Sequence, residues 1–171
     1  MKKTHYILLG LKIITWIAFI GFSIEAGSKI FTFVYSFFNE KVSHNLYLGL
    51  DLSSIQSSSS WQYVSIMSLI ITIPLLKANI WFQVLKFTLD YSHENPFVLK
   101  SIYKLENIAY LFFGLFAITV ISAKYFENFP NLRLPIVAEK GVYLLVAGII
   151  YIISQVFKRG VELREENDLT I

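Results

Sequence analysis

The chain has 171 residues, of which 55% are hydrophobic and only 16% charged, with no cysteine and a formal net charge of +3. Soluble domains carry roughly 25% charged residues, so this composition argues against a water-soluble globule, and the lack of cysteine excludes disulfides, thiolate metal sites and cysteine nucleophiles. The small positive excess suits lysines anchoring a membrane protein at a surface, rather than direct binding of nucleic acid.

Four stretches are almost free of charge: Tyr6–Ile24, Trp61–Leu76, Ile108–Ala123 and Gly141–Phe157. A helix rises about 1.5 Å per residue, so roughly 20 residues cross a ~30 Å hydrocarbon core. The first stretch has that length, and the others reach it with a few flanking residues. The expected fold is therefore an all-α membrane protein, a bundle of four transmembrane helices forming a single domain over 1–171. The spans fall near 5–27, 61–82, 106–125 and 139–158. They leave external loops at 39–60 and 126–138, a cytoplasmic loop at 86–105 and a cytoplasmic tail at 159–171.

Basic residues set the expected orientation. With the N-terminus in the cytoplasm, Lys2, Lys3, Lys86, Lys100, Lys104, Lys158, Arg159 and Arg164 lie inside. Only Lys41, Lys124, Arg133 and Lys140 then lie outside. The bias predicts a multi-pass protein of the cytoplasmic membrane with both termini in the cytoplasm. Lys2 and Lys3 before an apolar run resemble a signal-peptide start, but the run to Ile24 exceeds a ~7–15-residue secretory core, so an uncleaved anchor is expected.

The first helix is expected to begin near Thr4 and to run as far as Phe38. Glu25 and Lys29, four residues apart, share a helical face and suit an ion pair at the outer interface. The segment Asn45–Ser53 alternates, with Leu46, Leu48, Leu50 and Leu52 on one side. Period two argues for a strand with one buried face. Leu132, Leu134 and Ile136 alternate as well, although Pro135 confines that segment to an edge. The two segments are expected to pair as a small external two-stranded β element packed on the aromatic extension of the first helix. Ser57–Ser60 then reads as a polar tether into the second helix.

Trp61 is an interfacial anchor at the start of the second helix. Pro74 is expected to kink it, and a juxtamembrane piece continues to Leu89. Asn95-Pro96 reads as an N-cap followed by a first-turn proline. Apolar residues Val98, Leu99, Ile102, Leu105 and Ile108 then recur at helical spacing, opposite Lys100, Ser101, Lys104 and Asn107. The fourth helix is expected to end at Phe157-Lys158-Arg159-Gly160, a basic last turn followed by glycine.

Ionisable residues inside a membrane are functional candidates by default. Counting along each helix from its own end puts Lys12 within snorkelling reach of the inner surface, Glu25 and Lys29 at the outer interface, and Lys77 and Glu106 near the inner headgroups. On that count the bilayer centre is free of charge, which argues against a proton-coupled transporter. His5, His44 and His93 are scattered without metal-ligand spacing, and no glycine-rich phosphate loop or nucleophile–base pair is present. Neither catalytic residues, cofactors nor metals are expected.

The cytoplasmic side carries the more suggestive pattern. The basic amphipathic stretch Asn95–Asn107 and the acidic amphipathic tail Glu162–Asp168 lie on the same face. They either pack on each other and on lipid, or form a dock for a soluble protein. In the docking case Asn95, Pro96, Phe97, Lys100 and Lys104 form one half. Leu163, Glu165, Glu166, Asp168, Leu169 and Ile171 form the other.

Asn95-Pro96-Phe97 with Leu105, and above all the ending Arg159–Ile171 with its Glu-Asn-Asp-Leu-Thr-Ile run, resemble the bacterial membrane family called domain of unknown function 2975. The resemblance implies a four-span layout over nearly the whole chain, and a frequent genetic neighbour of the small Cro-type helix-turn-helix class. It supplies no catalytic or ligand residues. The function expected is a non-enzymatic regulator or sensor that docks a soluble, DNA-binding partner at its cytoplasmic face. The competing class is a small transporter, an exporter accessory or a toxin-immunity membrane protein, for which homo-oligomerisation would supply further spans. Its signature would be a continuous polar track through Thr15, Thr72, Thr119, Ser122, Ser154 and Gln155.

Overall fold

A computed structural model describes residues 2–90, 99–129 and 140–168. Four long helices dominate it: α1 (Lys2–Ser36), α3 (Ser60–Asp90), α4 (Leu99–Phe126) and α5 (Lys140–Asp168). A short helix, α2 (Ser53–Ser58), precedes α3. Each long helix contains a stretch long and apolar enough to cross a membrane. α1 packs on α3, α3 on α4 and α4 on α5.

Contacts between helices fix their relative heights. Phe19 stacks on Phe82, and Phe33 meets Tyr63 nearer the other end, so α1 and α3 are antiparallel. Lys104 donates to the carbonyl of Lys86 at 3.3 Å, and Gln155 donates to Glu106 at 2.8 Å. Both termini therefore lie at one end of the bundle, and the connection between α1 and α3 lies at the other. We call these the terminal end and the loop end.

The surface explains why the fold needs lipid. α1 exposes Ile7, Ile14, Ile17, Ile24 and Phe31, and α5 exposes Val142, Leu145, Ile149, Ile152 and Val156. So much contiguous apolar surface would drive association in water, whereas hydrocarbon matches it. The interior is correspondingly thin. One buried cluster, with Ile73, Ile80 and Leu115 at its heart, joins α3 to α4 in mid-bundle. Buried hydroxyls return to their own helix: Thr15 donates to Leu11, Thr119 to Leu115, Ser122 to Ile118 and Ser154 to Tyr151.

The larger cluster sits at the loop end, where residues 39–60 fold into a compact cap. Leu46, Leu52 and Ile55 of the cap are buried with Tyr63, Ile66, Met67 and Ile70 of α3 and with Phe126 of α4. Phe33 of α1 packs against the same cluster. This corrects the expected strand at Asn45–Ser53. The chain instead forms 3₁₀ turns at Glu40–His44 and Tyr47–Gly49, and no strand is present among the described residues. Leu48 (φ 61°) and Gly49 (φ 78°) both take left-handed backbone, so the chain doubles back and Leu46 bridges Leu50. That reversal destroys the period-two pattern: Leu46 and Leu52 are buried, while Leu48 is 88% exposed. The expected partner segment, Leu132–Val137, lies outside the described residues.

Two helix boundaries also differ from expectation. The serine tether is mostly helical, as α2 followed at once by α3. α5 does not stop at Gly160 but continues to Asp168. A glycine inside a helix costs only about 1 kcal/mol. Burial of Val161 and an Arg159–Glu162 contact at 3.1 Å, one turn apart, offset that cost.

Candidate functional site

The membrane-embedded charges become legible once the helices are set at their true heights. Lys86 and Lys104 lie side by side through their hydrogen bond. The Glu106–Gln155 bond brings Lys158 to about the same level, and the Phe19–Phe82 stack brings Lys12 within about a turn of it. Each long helix thus presents a lysine to one tier near the terminal end, where hydrocarbon gives way to headgroups.

Lys77 stands about 14 Å above Lys86 along α3, half the depth of a ~30 Å hydrocarbon core. Its ammonium lies 5.5 Å from the ring centroid of Phe22 on α1 and 5.5 Å from that of Tyr143 on α5. Phe22 is itself about midway along the apolar run Tyr6–Ser36. The expectation that Lys77 reaches the inner headgroups is therefore corrected: it is a mid-membrane charge held between aromatic faces of two other helices. In a dry environment each cation–π contact of this kind is worth up to about 2 kcal/mol. A count along α3 alone cannot give this height, which depends on the contacts of Lys77 with Phe22 and Tyr143.

Glu25 and Lys29 form the expected ion pair, with Lys29 Nζ 2.6 Å from Glu25 Oε1. Both side chains are largely sheltered, 30% and 17% exposed. Glu25 stands about 20 Å above Lys12 and Lys29 about 26 Å, so the acid lies within the apolar zone and the lysine near its loop-end edge. Lys29 also lies 5.8 Å from the ring centroid of Tyr47 in the cap. Glu25 is one helical turn from Phe22, on the same face of α1.

These contacts line one face of α1 as two groups a helical turn apart. Tyr47 in the cap meets Lys29, Lys29 pairs with Glu25, Phe22 follows a turn below, and Phe22 meets Lys77 at the membrane centre. A second link runs beside it. Tyr63 of α3 donates to the Ser36 hydroxyl at 2.6 Å, Ser36 donates to Phe33 O at 2.7 Å, and Gln56 of α2 donates to Ser36 O at 3.2 Å. The cap is thus bonded to the end of α1 and to α3 at one point. Among the described residues no group of His, Cys, Asp or Glu could hold a metal ion.

Because the Glu25–Lys29 pair is sheltered, its coupling should exceed the roughly 0.5 kcal/mol typical of exposed helical pairs. A double-mutant cycle of Glu25→Gln and Lys29→Met, read by thermal unfolding in nanodiscs, should give at least about twice that value. Coupling near zero would mean that the pair is solvated.

The expected docking residues meet the structure unevenly. Lys104 is engaged with Lys86 O, Leu163 is exposed, and Glu166 is exposed on the last turns of α5. Lys100, Glu165 and Asp168 lie on the helical backbone of α4 and α5, their side chains beyond what is described. Asn95, Pro96, Phe97, Leu169 and Ile171 lie outside the described residues. What is on view at the terminal end is an α5 extension with Val161 turned inward and Leu163 outward.

Four apolar helices, with a cap at one end and partly sheltered charges between α1 and α3, define a multi-pass membrane protein. The chain belongs to the family described as protein of unknown function (DUF2975), whose model matches residues 39–171, from the start of the cap through α5. No curated protein and no solved structure matches it.

Proposed function

We propose that this protein is a non-enzymatic membrane regulator: the cap is its input, the α1–α3 pair its lever, and the terminal end a dock for a soluble partner. The observation that carries this reading is the run of contacts from Tyr47 through Lys29 and Glu25 to the level of Phe22 and Lys77. A change in the cap reaches the membrane centre through it without crossing bulk lipid. Charges in such a place cost free energy, which favours a functional reason for keeping them. The lever works as a switch only if the input binds two helix arrangements with different affinity.

The lysine tier supports a cytoplasmic terminal end by the positive-inside bias. The natural partner is then a soluble DNA-binding regulator, the kind of neighbour that the family resemblance implies. Glu165, Glu166 and Asp168 would meet its basic surface, and Leu163, Leu169 and Ile171 an apolar groove. Buried anchors of this kind carry affinity, while rim charges mainly set association rate. The competing transporter reading expects a polar track; of its six residues, Thr15, Thr72, Thr119, Ser122 and Ser154 each spend their hydroxyl proton on their own helix, and only Gln155 bonds across helices, to Glu106.

Co-purification of the full-length chain with the product of the adjacent gene tests the dock. Removal of residues 165–171 should abolish the complex while the chain still inserts with both termini accessible from the cytoplasm. Equal retention by full-length and shortened chains, or retention by neither, refutes it.

A further inference from the structure

The cap contains a cavity of about 470 Å³ that the charged groups of α1 and α3 do not line. That volume falls within the ~300–1,000 Å³ range of small-ligand sites. Its wall is unusual in the sense of its hydrogen bonds. The Ser43 hydroxyl donates to Glu40 O at 2.6 Å, Ser53 donates to Asp51 Oδ1 at 2.6 Å, and Ser57 donates to Ser54 O at 3.1 Å. A hydroxyl has one proton and two lone pairs, so each of these serines has spent its donor and offers only acceptors.

The other lining groups lean the same way. Gln56 gives an amide proton to Ser36 O, while its carbonyl oxygen is buried without a partner among the described residues. His44 Nδ1 lies 3.9 Å from Asp51 Oδ2. Glu40 supplies a carboxylate on the rim. Asp51, just behind Ser53, stays ionised to low pH, because the hydroxyl and backbone N–H of Ser53 stabilise its charged form and His44 adds to this. With three of its four serines spent as donors and the carboxylates of Glu40 and Asp51 beside them, the site favours a ligand rich in donors and positive in charge.

We infer that this cavity binds a small organic ammonium compound, a primary amine whose N–H groups are shared between Glu40 and the hydroxyl oxygens of Ser53 and Ser57. This rests on the proposed function, in that it names the chemical class of the cap's input. The ligand would sit beside the turn that carries Tyr47, and so next to the contact with Lys29.

The test uses the full-length chain in phosphatidylcholine nanodiscs, with cadaverine as probe and 1,5-pentanediol as its uncharged counterpart. Saturation-transfer NMR and thermal unfolding read binding, with empty nanodiscs as the blank. Cadaverine should bind saturably and raise the unfolding temperature, and the diol should do neither. Glu40→Gln, at an exposed position, should retain the fold and weaken cadaverine about tenfold, the scale expected for loss of one charge-assisted contact. Equal binding of the diol, undiminished binding to Glu40→Gln, or no saturable binding of cadaverine would each overturn the assignment. Binding of cadaverine with no effect on partner capture would keep this site and sink the regulatory reading; partner capture that depends on residues 165–171, with no saturable cadaverine binding, would keep the dock and sink this site.

Discussion

Lys77→Glu is expected to be the most damaging single change in the transmembrane region. The wild-type ammonium lies between the faces of Phe22 and Tyr143, and aromatic faces carry negative potential. A carboxylate there meets repulsion from both rings and stands about a turn from the level of Glu25. It also reverses the charge seen by every group that the lysine serves. Removing one partner from a buried charged arrangement costs about 3–5 kcal/mol, and a loss of at least about 3 kcal/mol is expected here. Lys77→Arg keeps the charge and the ring contacts, and should retain most of the stability. Thermal unfolding of both variants in nanodiscs decides the matter. A Lys77→Glu protein as stable as wild type would mean that the position opens to water and is no mid-membrane charge.

The second large effect is expected at the junction of cap and bundle. Tyr63 is fully buried; its ring meets Phe33 and Phe37, and its hydroxyl donates to Ser36. Tyr63→Ala removes the central piece of the loop-end cluster and should cost about 3–5 kcal/mol. Tyr63→Phe keeps the ring and loses one hydrogen bond, for about 1 kcal/mol. Because the cap is held largely by this cluster, the alanine variant should release it locally. Hydrogen exchange should quicken at the amides of Leu46, Leu52 and Ile55, with smaller change at Ile73 and Ile80 in mid-bundle. Uniform quickening throughout would show that cap and bundle unfold as one unit, which would weaken the idea of a separately movable input.

Hydropathy and helical rise were enough to reveal four helices long and apolar enough to cross a membrane, because a lipid-facing helix must satisfy its backbone internally and shed its charges over about 20 residues. The Glu25–Lys29 pair was equally legible, being local: four residues on one helix share a face whatever surrounds them. The family resemblance rested on the ending Arg159–Ile171, a matter of residue identity rather than shape.

Relations between segments were another matter. The alternation of Leu46, Leu48, Leu50 and Leu52 suggested a strand, and only packing against Tyr63 and Ile66, with a reversal at Leu48-Gly49, decided for turns. Period two records which residues are apolar, and a short chain can bury two of four leucines by folding back as readily as by extending. Lys77 makes the same point in the membrane. Its depth depends on where α3 stands relative to Phe22, Tyr143 and the lysine tier, and no helix carries that information in its own sequence. The cavity in the cap was invisible for a related reason: serines read as a linker until the fold assigns each hydroxyl proton a carbonyl or carboxylate, and only then is it clear which lone pairs remain. Local pattern therefore determined what this protein is made of and where it resides, while tertiary contacts decided the heights of its charges and the character of its cap, because depth and hydrogen-bond sense are properties of pairs of segments.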